Sequence, residues 1–329
     1  MTTEAIVIDL PVTSGWYFGG VRYGLEPLTL PNPEVADDDL PAGREHADYR
    51  DVGARILDGD MVAGDESEQE IFWFRWLTGH QVSFVIWRLM AGVLRDMDAG
   101  RTPPSIGCRE LTDYLRGYCA MLLYTSSCPR QVYQSLIRPS MYLQHRCFSG
   151  GWAPDYRPVR DVFRGRLPSG TEYLREAADL ATAVRLYQEI HEGVAAKLVP
   201  DGPSLLRAAA SAGRARGIRL QDTRLLGLLY DNYFLTMRAQ VSRQDIVAQL
   251  ARRLVAISQD VASNGLSLVD GQPTVELSSA EVLACAKRLP QINFRVVSHA
   301  VGNRLPRLDS LTAQAPLPGE HRGLRAQGG

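Results

Sequence analysis

The chain has 329 residues, of which 45% are hydrophobic and 22% charged, and its formal net charge is −1. A chain of this length and balance buries a large core, and its charge gives no electrostatic reason to expect a nucleic-acid partner. The five cysteines form no C-x-x-C motif, which argues against a disulfide framework and a thiolate zinc site and favours a reducing, cytoplasmic compartment.

The N-terminal segment, residues 1–66, is rich in glycine, proline and aspartate and shows little hydrophobic periodicity. We predict an irregular arm there, with one short strand near Ile6–Ile8. No basic region precedes an apolar core at the start of the chain, so the sequence does not predict a secretory signal. A long arm of this kind favours a homodimer in which the subunits exchange their arms.

A helical pattern begins at Ser67, where acidic residues precede a long run of apolar residues at helical spacing. We predict a long, largely buried helix that ends near Gly100. Its most apolar stretch is broken by Arg88 and is too short to cross a bilayer, so we expect no membrane anchor. Further helices are predicted at 108–124, 130–146, 172–198, 222–239, 242–262 and 279–288, which makes the fold mainly α.

Two segments outside these helices have a different composition. Glycine, proline and aromatic residues dominate 147–170, so we predict a long loop that needs packing or a ligand to be ordered. The last segment, 306–329, is rich in glycine, proline and glutamine and is predicted to be a disordered tail. The predicted helices form one all-α domain over 67–305.

One histidine of the first long helix lies at an unusual place for a polar ring. His80 has Trp76 one turn before it, Phe84 one turn after it and Trp87 two turns after it, so it projects from an aromatic stripe. A histidine in this position is most often a core residue that is hydrogen-bonded to a neighbour. The alternative is a functional imidazole that faces a ligand.

A second histidine, His191, has the same kind of context in the helix at 172–198, with Val184, Tyr187 and Leu198 on its side. A neutral imidazole among apolar side chains suits the iron of a flat hydrophobic macrocycle better than a hydrated zinc ion. Neither histidine has a second metal ligand four residues further on, and the sequence contains no G-x-S-x-G elbow and no P-loop. Most common enzyme classes therefore lack their signature.

Blocks of the sequence resemble the tryptophan 2,3-dioxygenases in their order along the chain. HQVSFVIW resembles the distal-histidine helix, DYRPVRDVFRG the segment with the substrate-carboxylate arginine, and IHEGVAAKLV the proximal-histidine helix. The loop PDGPSLLR replaces a longer glycine-rich loop, which argues against ring cleavage. Together with IRPSMYLQHRCFSGGWAPDYRPVR, this loop resembles the histidine-ligated, haem-dependent tyrosine hydroxylases of natural-product pathways, a branch of the same superfamily.

The resemblance implies a helical-bundle haem enzyme in which 67–305 is the catalytic domain. Haem b would be ligated by His191, and His80 on the opposite face would act as acid and base toward hydrogen peroxide. L-Tyrosine would be hydroxylated at C3 to give L-DOPA. The absence of a C-x-x-C-H motif agrees with non-covalent haem.

The same resemblance implies the residues that bind the substrate. Arg157 would bind the carboxylate, with Arg138 and Arg160 as rivals for this role. Ser204 would donate a hydrogen bond to the substrate or to haem from a closing loop, although Ser204 is equally compatible with an N-cap. The ring would lie in an aromatic slot formed by Phe84, Trp87, Phe148 and Trp152.

Two alternatives stay open. The first is a sister oxygenase with the same haem arrangement that acts on another aromatic amino acid or on an indole derivative, because a shared fold does not separate related substrates. The second belongs to a different class of protein. It is a haem-free helical binding protein, in which both histidines are core residues.

Overall fold

The structure, a computed structural model, describes residues 25–43, 50–59, 66–200, 205, 223–267 and 274–302. It is mainly helical, which confirms the predicted fold class. The strand predicted near Ile6–Ile8, the candidate Ser204 and the tail 306–329 lie outside these residues. No helix in the described ranges is long and apolar enough to cross a membrane.

The elements are named here in chain order. Two short strands, β1 (Leu28–Leu30) and β2 (Thr236–Arg238), pair in parallel, and Leu28 lies beside Thr236. The helices are α1 (Arg50–Asp58), α2 (Glu68–Asp98), α3 (Pro104–Thr125), α4 (Arg130–Val132), α5 (Arg138–Gln144), α6 (Arg160–Phe163), α7 (Arg175–Leu198), α8 (Thr223–Tyr233), α9 (Arg243–Asn264), α10 (Ala280–Lys287) and α11 (Leu289–Ala300). A π-helical turn, Tyr133–Ile137, joins α4 to α5.

The long helix α2 begins where the sequence predicts. Ser67 is its N-cap, and the Ser67 hydroxyl accepts a hydrogen bond from the backbone N–H of Glu70. The Glu70 carboxylate accepts one in return from the backbone N–H of Ser67, at 2.8 Å. This capping box satisfies two N–H groups that have no partner within the helix. The central part of α2 is buried on all sides, as its apolar composition predicts.

Helices α2 and α7 both pack along α3, so α3 is the common neighbour of the two helices that carry His80 and His191. A buried polar network fixes α2 and α3 to α9. The Arg75 guanidinium donates to the Asp260 carboxylate at 2.7 Å, and the Tyr124 hydroxyl donates to the same carboxylate at 2.8 Å. An arginine and an aspartate can be buried together because their charges are paired and their polar atoms are hydrogen-bonded.

Several elements differ from the prediction. Helices α1 and α11 were not predicted, yet both are stabilised by tertiary packing, since α1 contacts α9 and α11 and buries Ile56 completely. The helix predicted at 222–239 ends at Tyr233, because the chain then enters β2 and pairs with β1. Helix α3 begins four residues early, at Pro104, because a proline in the first turn lacks only an N–H that the helix leaves unpaired.

Candidate active site

A cavity of about 820 Å³ lies where α2, α3, α7 and α8 meet the segment 147–170. Its volume lies in the range of roughly 300–1,000 Å³ that is typical of sites for small molecules and cofactors. Five of the predicted site residues line this one cavity although they come from three separate stretches of sequence. They are His80, Trp87, Trp152, Arg157 and His191.

The His80 ring has a defined tautomer. Its Nδ1 lies 2.6 Å from the backbone carbonyl oxygen of Trp76. Because a carbonyl only accepts, Nδ1–H is the donor and Nε2 carries the lone pair. Burial lowers the pKa of His80 to about 4, and the hydrogen bond to Trp76 opposes this shift only in part. At neutral pH, His80 is therefore an uncharged imidazole whose Nε2 can accept a proton.

Aromatic rings and a buried glutamine hold His80 in place. The Phe234 ring stacks on the imidazole with 4.5 Å between centroids. Gln81, the next residue along α2, donates from its side-chain amide to the backbone carbonyl of Phe234 at 3.0 Å. The Gln81 carbonyl accepts from Arg253 Nε at 2.9 Å. In the His80-Gln81 pair, the histidine thus faces the cavity, while the glutamine fixes the ring that supports it.

The environment of His191 differs from the one that the sequence predicts. The sequence predicts burial among apolar side chains, but the His191 side chain is exposed. It lies on the cavity wall one turn after Tyr187, with 5.9 Å between the two ring centroids. A ring on the wall of a wide cavity keeps contact with solvent, which explains the difference. This placement leaves the imidazole accessible to a ligand in the cavity.

Only two of the four residues predicted to form an aromatic slot line the cavity. Trp87 and Trp152 line the cavity, whereas Phe84 and Phe148 are buried in the layer behind it. Phe84 stacks on Trp87, with 5.6 Å between centroids, and Phe148 stacks on Tyr230 at 5.4 Å. The part of these two residues in a substrate slot stays a prediction. Four tyrosines that were not among the predicted site residues complete the wall: Tyr118, Tyr156, Tyr187 and Tyr230.

Two glycines of the segment 147–170 line the cavity without a steric need for glycine. A Cβ added at Gly150 would come no closer than 3.9 Å to Tyr230, and one at Gly151 would lie 3.5 Å from the Ser149 hydroxyl. Both distances are ordinary contacts, and neither glycine has a positive φ. The absence of a side chain therefore keeps free space beside the backbone, where a flat ligand can approach closely.

Arg157 lies on the cavity wall with an exposed side chain. Of its two predicted rivals, Arg160 lines the cavity as well, whereas Arg138 lies by Tyr133 and is not one of the described wall residues. Arg164, which the sequence analysis missed, also lines it. Its position four residues after Arg160 in a helical segment was the available signal.

A buried ion-pair network anchors the segment that carries Arg157. The Arg238 guanidinium donates to both oxygens of Asp155, at 3.1 and 2.6 Å, and to both oxygens of Asp231, at 2.9 and 2.8 Å. Burial raises the pKa of Asp155, while Arg238 lowers it. Because Arg238 belongs to β2 and Asp231 to α8, the wall residues beside Asp155 are fixed to the rest of the fold.

These residues fit a haem group. An imidazole is a common axial ligand of haem iron, and His191 and His80 both reach the same cavity. The aromatic walls of the cavity suit a flat apolar macrocycle. Within the described ranges, no group of three or more His, Cys, Asp or Glu side chains could hold a metal ion by itself.

A family model described as SfmD 3-methyl-L-tyrosine peroxygenase matches residues 53–183. The chain is similar to this family over about two fifths of its length. The matched part contains His80, Trp87, Trp152 and the arginines of the cavity wall, and it ends before His191. No curated protein matches the chain. The family match supports an enzyme of the peroxygenase type that hydroxylates an aromatic amino acid.

Proposed function

We propose that the protein is a haem-dependent L-tyrosine 3-hydroxylase of the superfamily that includes the tryptophan 2,3-dioxygenases, and that it converts L-tyrosine and hydrogen peroxide to L-DOPA in natural-product biosynthesis. The observation that carries this proposal is the shared cavity of His80 and His191, with Trp87 and Arg157 on its wall. The similarity to a peroxygenase family supports peroxide-dependent hydroxylation of a tyrosine-type substrate.

His191 would hold the haem iron from α7. When bound, haem supplies the redox chemistry that activates hydrogen peroxide and transfers one oxygen atom to the phenol ring. We propose non-covalent haem b, because no cysteine belongs to the described cavity wall. The cysteine pattern of the sequence, which has no C-x-x-C pair, supports the proposal of a reducing, cytoplasmic compartment.

His80 would move the proton that this chemistry requires. Its Nε2 takes a proton from hydrogen peroxide and returns it to the oxygen atom that leaves as water. The hydrogen bond from Nδ1 to the Trp76 carbonyl keeps Nε2 available throughout. The lowered pKa makes protonated His80 a stronger acid than an ordinary imidazolium, which favours the return of the proton and makes its uptake correspondingly less favourable.

The substrate ring would lie between Trp87, Trp152 and the backbone at Gly150 and Gly151, with its carboxylate on Arg157. Phe84 and Phe148 would support this slot from behind. Three further features stay predictions. They are the hydrogen bond from Ser204 to the substrate or to haem, the homodimer, and the single catalytic domain over 67–305.

The test is product analysis with haem-loaded protein. Hydrogen peroxide is added with L-tyrosine, 3-methyl-L-tyrosine or L-tryptophan, and the products are identified by mass spectrometry. We expect L-DOPA from L-tyrosine, and we expect His80→Ala to keep its haem absorbance but to lose about 100-fold or more in turnover. His299→Ala is the matched control, since His299 pairs with Asp113 away from the cavity. L-Tyrosine returned unchanged would refute the proposal.

A second candidate substrate is 3-methyl-L-tyrosine, because the description of the matching family names it. In the same assay, hydroxylation of 3-methyl-L-tyrosine without hydroxylation of L-tyrosine would favour this substrate. A protein that shows no Soret absorbance after purification with haem would instead be a haem-free helical binding protein.

A further inference from the structure

Three arginines line the cavity along one short segment of chain. Arg157, Arg160 and Arg164 are all exposed, and they run from a 3-10 turn through α6 to its C-terminal end. Their spacing of three and four residues places them on one face of a helical segment. The result is a row of three guanidinium groups on one side of the cavity.

No carboxylate balances this row within the described part of the chain. The described cavity wall includes no aspartate or glutamate, and no described acidic side chain forms an ion pair with these three arginines. The contrast with Arg166 is direct, because Arg166 lies two residues beyond Arg164 and pairs with Asp161 at 3.2 Å. A cavity wall with three positive charges and no negative one favours a ligand with several carboxylates.

The charges of two of the three arginines act on the same phenol. Burial raises the pKa of Tyr156, and the positive charges of Arg160 and Arg164 both oppose this rise. Tyr156 lines the same cavity as these two arginines. Arg160 and Arg164 form a pair one helical turn apart, next to Arg157 but distinct from it.

We propose that Arg160 and Arg164 bind the two propionate groups of haem and leave Arg157 for the carboxylate of the amino-acid substrate. This inference rests on the proposed function and deepens it. Haem brings two carboxylates and the substrate brings one, so three carboxylates meet three guanidinium groups. Arginine suits this role because its planar group donates two parallel hydrogen bonds to a carboxylate.

The experiment is a titration of the haem-free protein with haem and, separately, with haem dimethyl ester, whose propionates carry no charge. Soret absorbance gives a dissociation constant for wild type, Arg160→Gln, Arg164→Gln, the double variant and Arg157→Gln. Arg166→Gln is the matched control from the same segment. Circular dichroism verifies that each variant is folded.

We expect Arg160→Gln and Arg164→Gln each to weaken haem binding about five- to tenfold, and the double variant to weaken it further. Binding of the dimethyl ester should not change in these variants, since the lost interaction requires a carboxylate. Arg166→Gln should leave both constants unchanged. Arg157→Gln should keep haem affinity and weaken the spectral response to L-tyrosine.

An unchanged haem constant in the double variant, or an equal loss for haem and its ester, would overturn the assignment of the propionates while leaving the proposed function intact. A wild-type protein that binds no haem would overturn the proposed function and this assignment together.

Discussion

At the level of single residues, His80 combines two properties that seldom occur together. It contacts the aromatic rings of Trp76 and Phe234, which removes water from one side of the imidazole. It also faces a cavity that is open to ligands. The fold therefore favours the neutral ring, and this preference must be visible in the stability of the haem-free protein.

Stability at acidic pH tests the state of His80. In the unfolded chain the pKa of histidine is about 6.5, while in the folded protein burial lowers the pKa of His80 to about 4. Above pH 6.5 the ring is neutral in both states. As the pH falls from 6.5 toward 4, the unfolded chain takes up the proton first, so stability is lost.

We expect wild type to lose as much as about 3 kcal/mol of unfolding free energy relative to His80→Gln over this pH range. Urea unfolding of both proteins without haem at pH 7, 5.5 and 4.5 measures the difference. A difference that stays constant with pH would show that the folded protein does not lower the pKa of His80.

At the level of elements, the segment 147–170 is ordered by contacts that its composition does not reveal. Its glycines and prolines predict a loop, but it forms the short 3-10 turns Gly150–Trp152 and Pro154–Val159 and then α6. The buried pairing of Asp155 with Arg238 explains how such a segment can present Arg157 in a fixed place.

Removal of the central arginine tests this anchor. Arg238→Met leaves Asp155 and Asp231 buried without their common partner, so we expect a loss of about 3–5 kcal/mol in the free energy of unfolding. Arg166→Gln breaks an ion pair that is largely exposed, so it should change stability by less than about 1 kcal/mol. Urea unfolding compares the two. Equal stability of Arg238→Met and wild type would mean that the network does not hold the segment.

The helices themselves were largely predictable from their periodicity. Helix α2 begins at Glu68, after the predicted Ser67, and α9 spans Arg243–Asn264, against a prediction of 242–262. Local signals fail where tertiary contacts decide the outcome. Helix α8 ends at Tyr233 because β2 pairs with β1, which lies some 200 residues earlier in the chain.

At the level of the whole molecule, five of the residues that line the cavity could be predicted from the sequence, because each lies in a block with a recognisable pattern. They are His80, His191, Trp87, Trp152 and Arg157. The tyrosines of α3, α7 and α8 could not be predicted as wall residues from the sequence. Residues such as Tyr118 belong to no motif, and they line the cavity only because the helices pack together. The sequence also placed Phe84 on the wall, because helical spacing shows which face a residue occupies but not which layer of the core lies beyond it.

The proposed function depends on the binding of haem in this cavity. Helices α2 and α7 both pack along α3, and their histidines meet the same space, which suits an iron-bearing macrocycle. If His191 holds the iron, its replacement by alanine removes one ligand without disturbing the buried core, because the side chain is exposed.

The most direct measurement is therefore a haem titration of wild type and His191→Ala, followed by absorbance and electron paramagnetic resonance, with and without added imidazole. We predict that wild type binds haem with a spectrum typical of histidine ligation, that His191→Ala loses this spectrum, and that free imidazole restores it. A His191→Ala protein that binds haem with the wild-type spectrum and affinity would contradict the account.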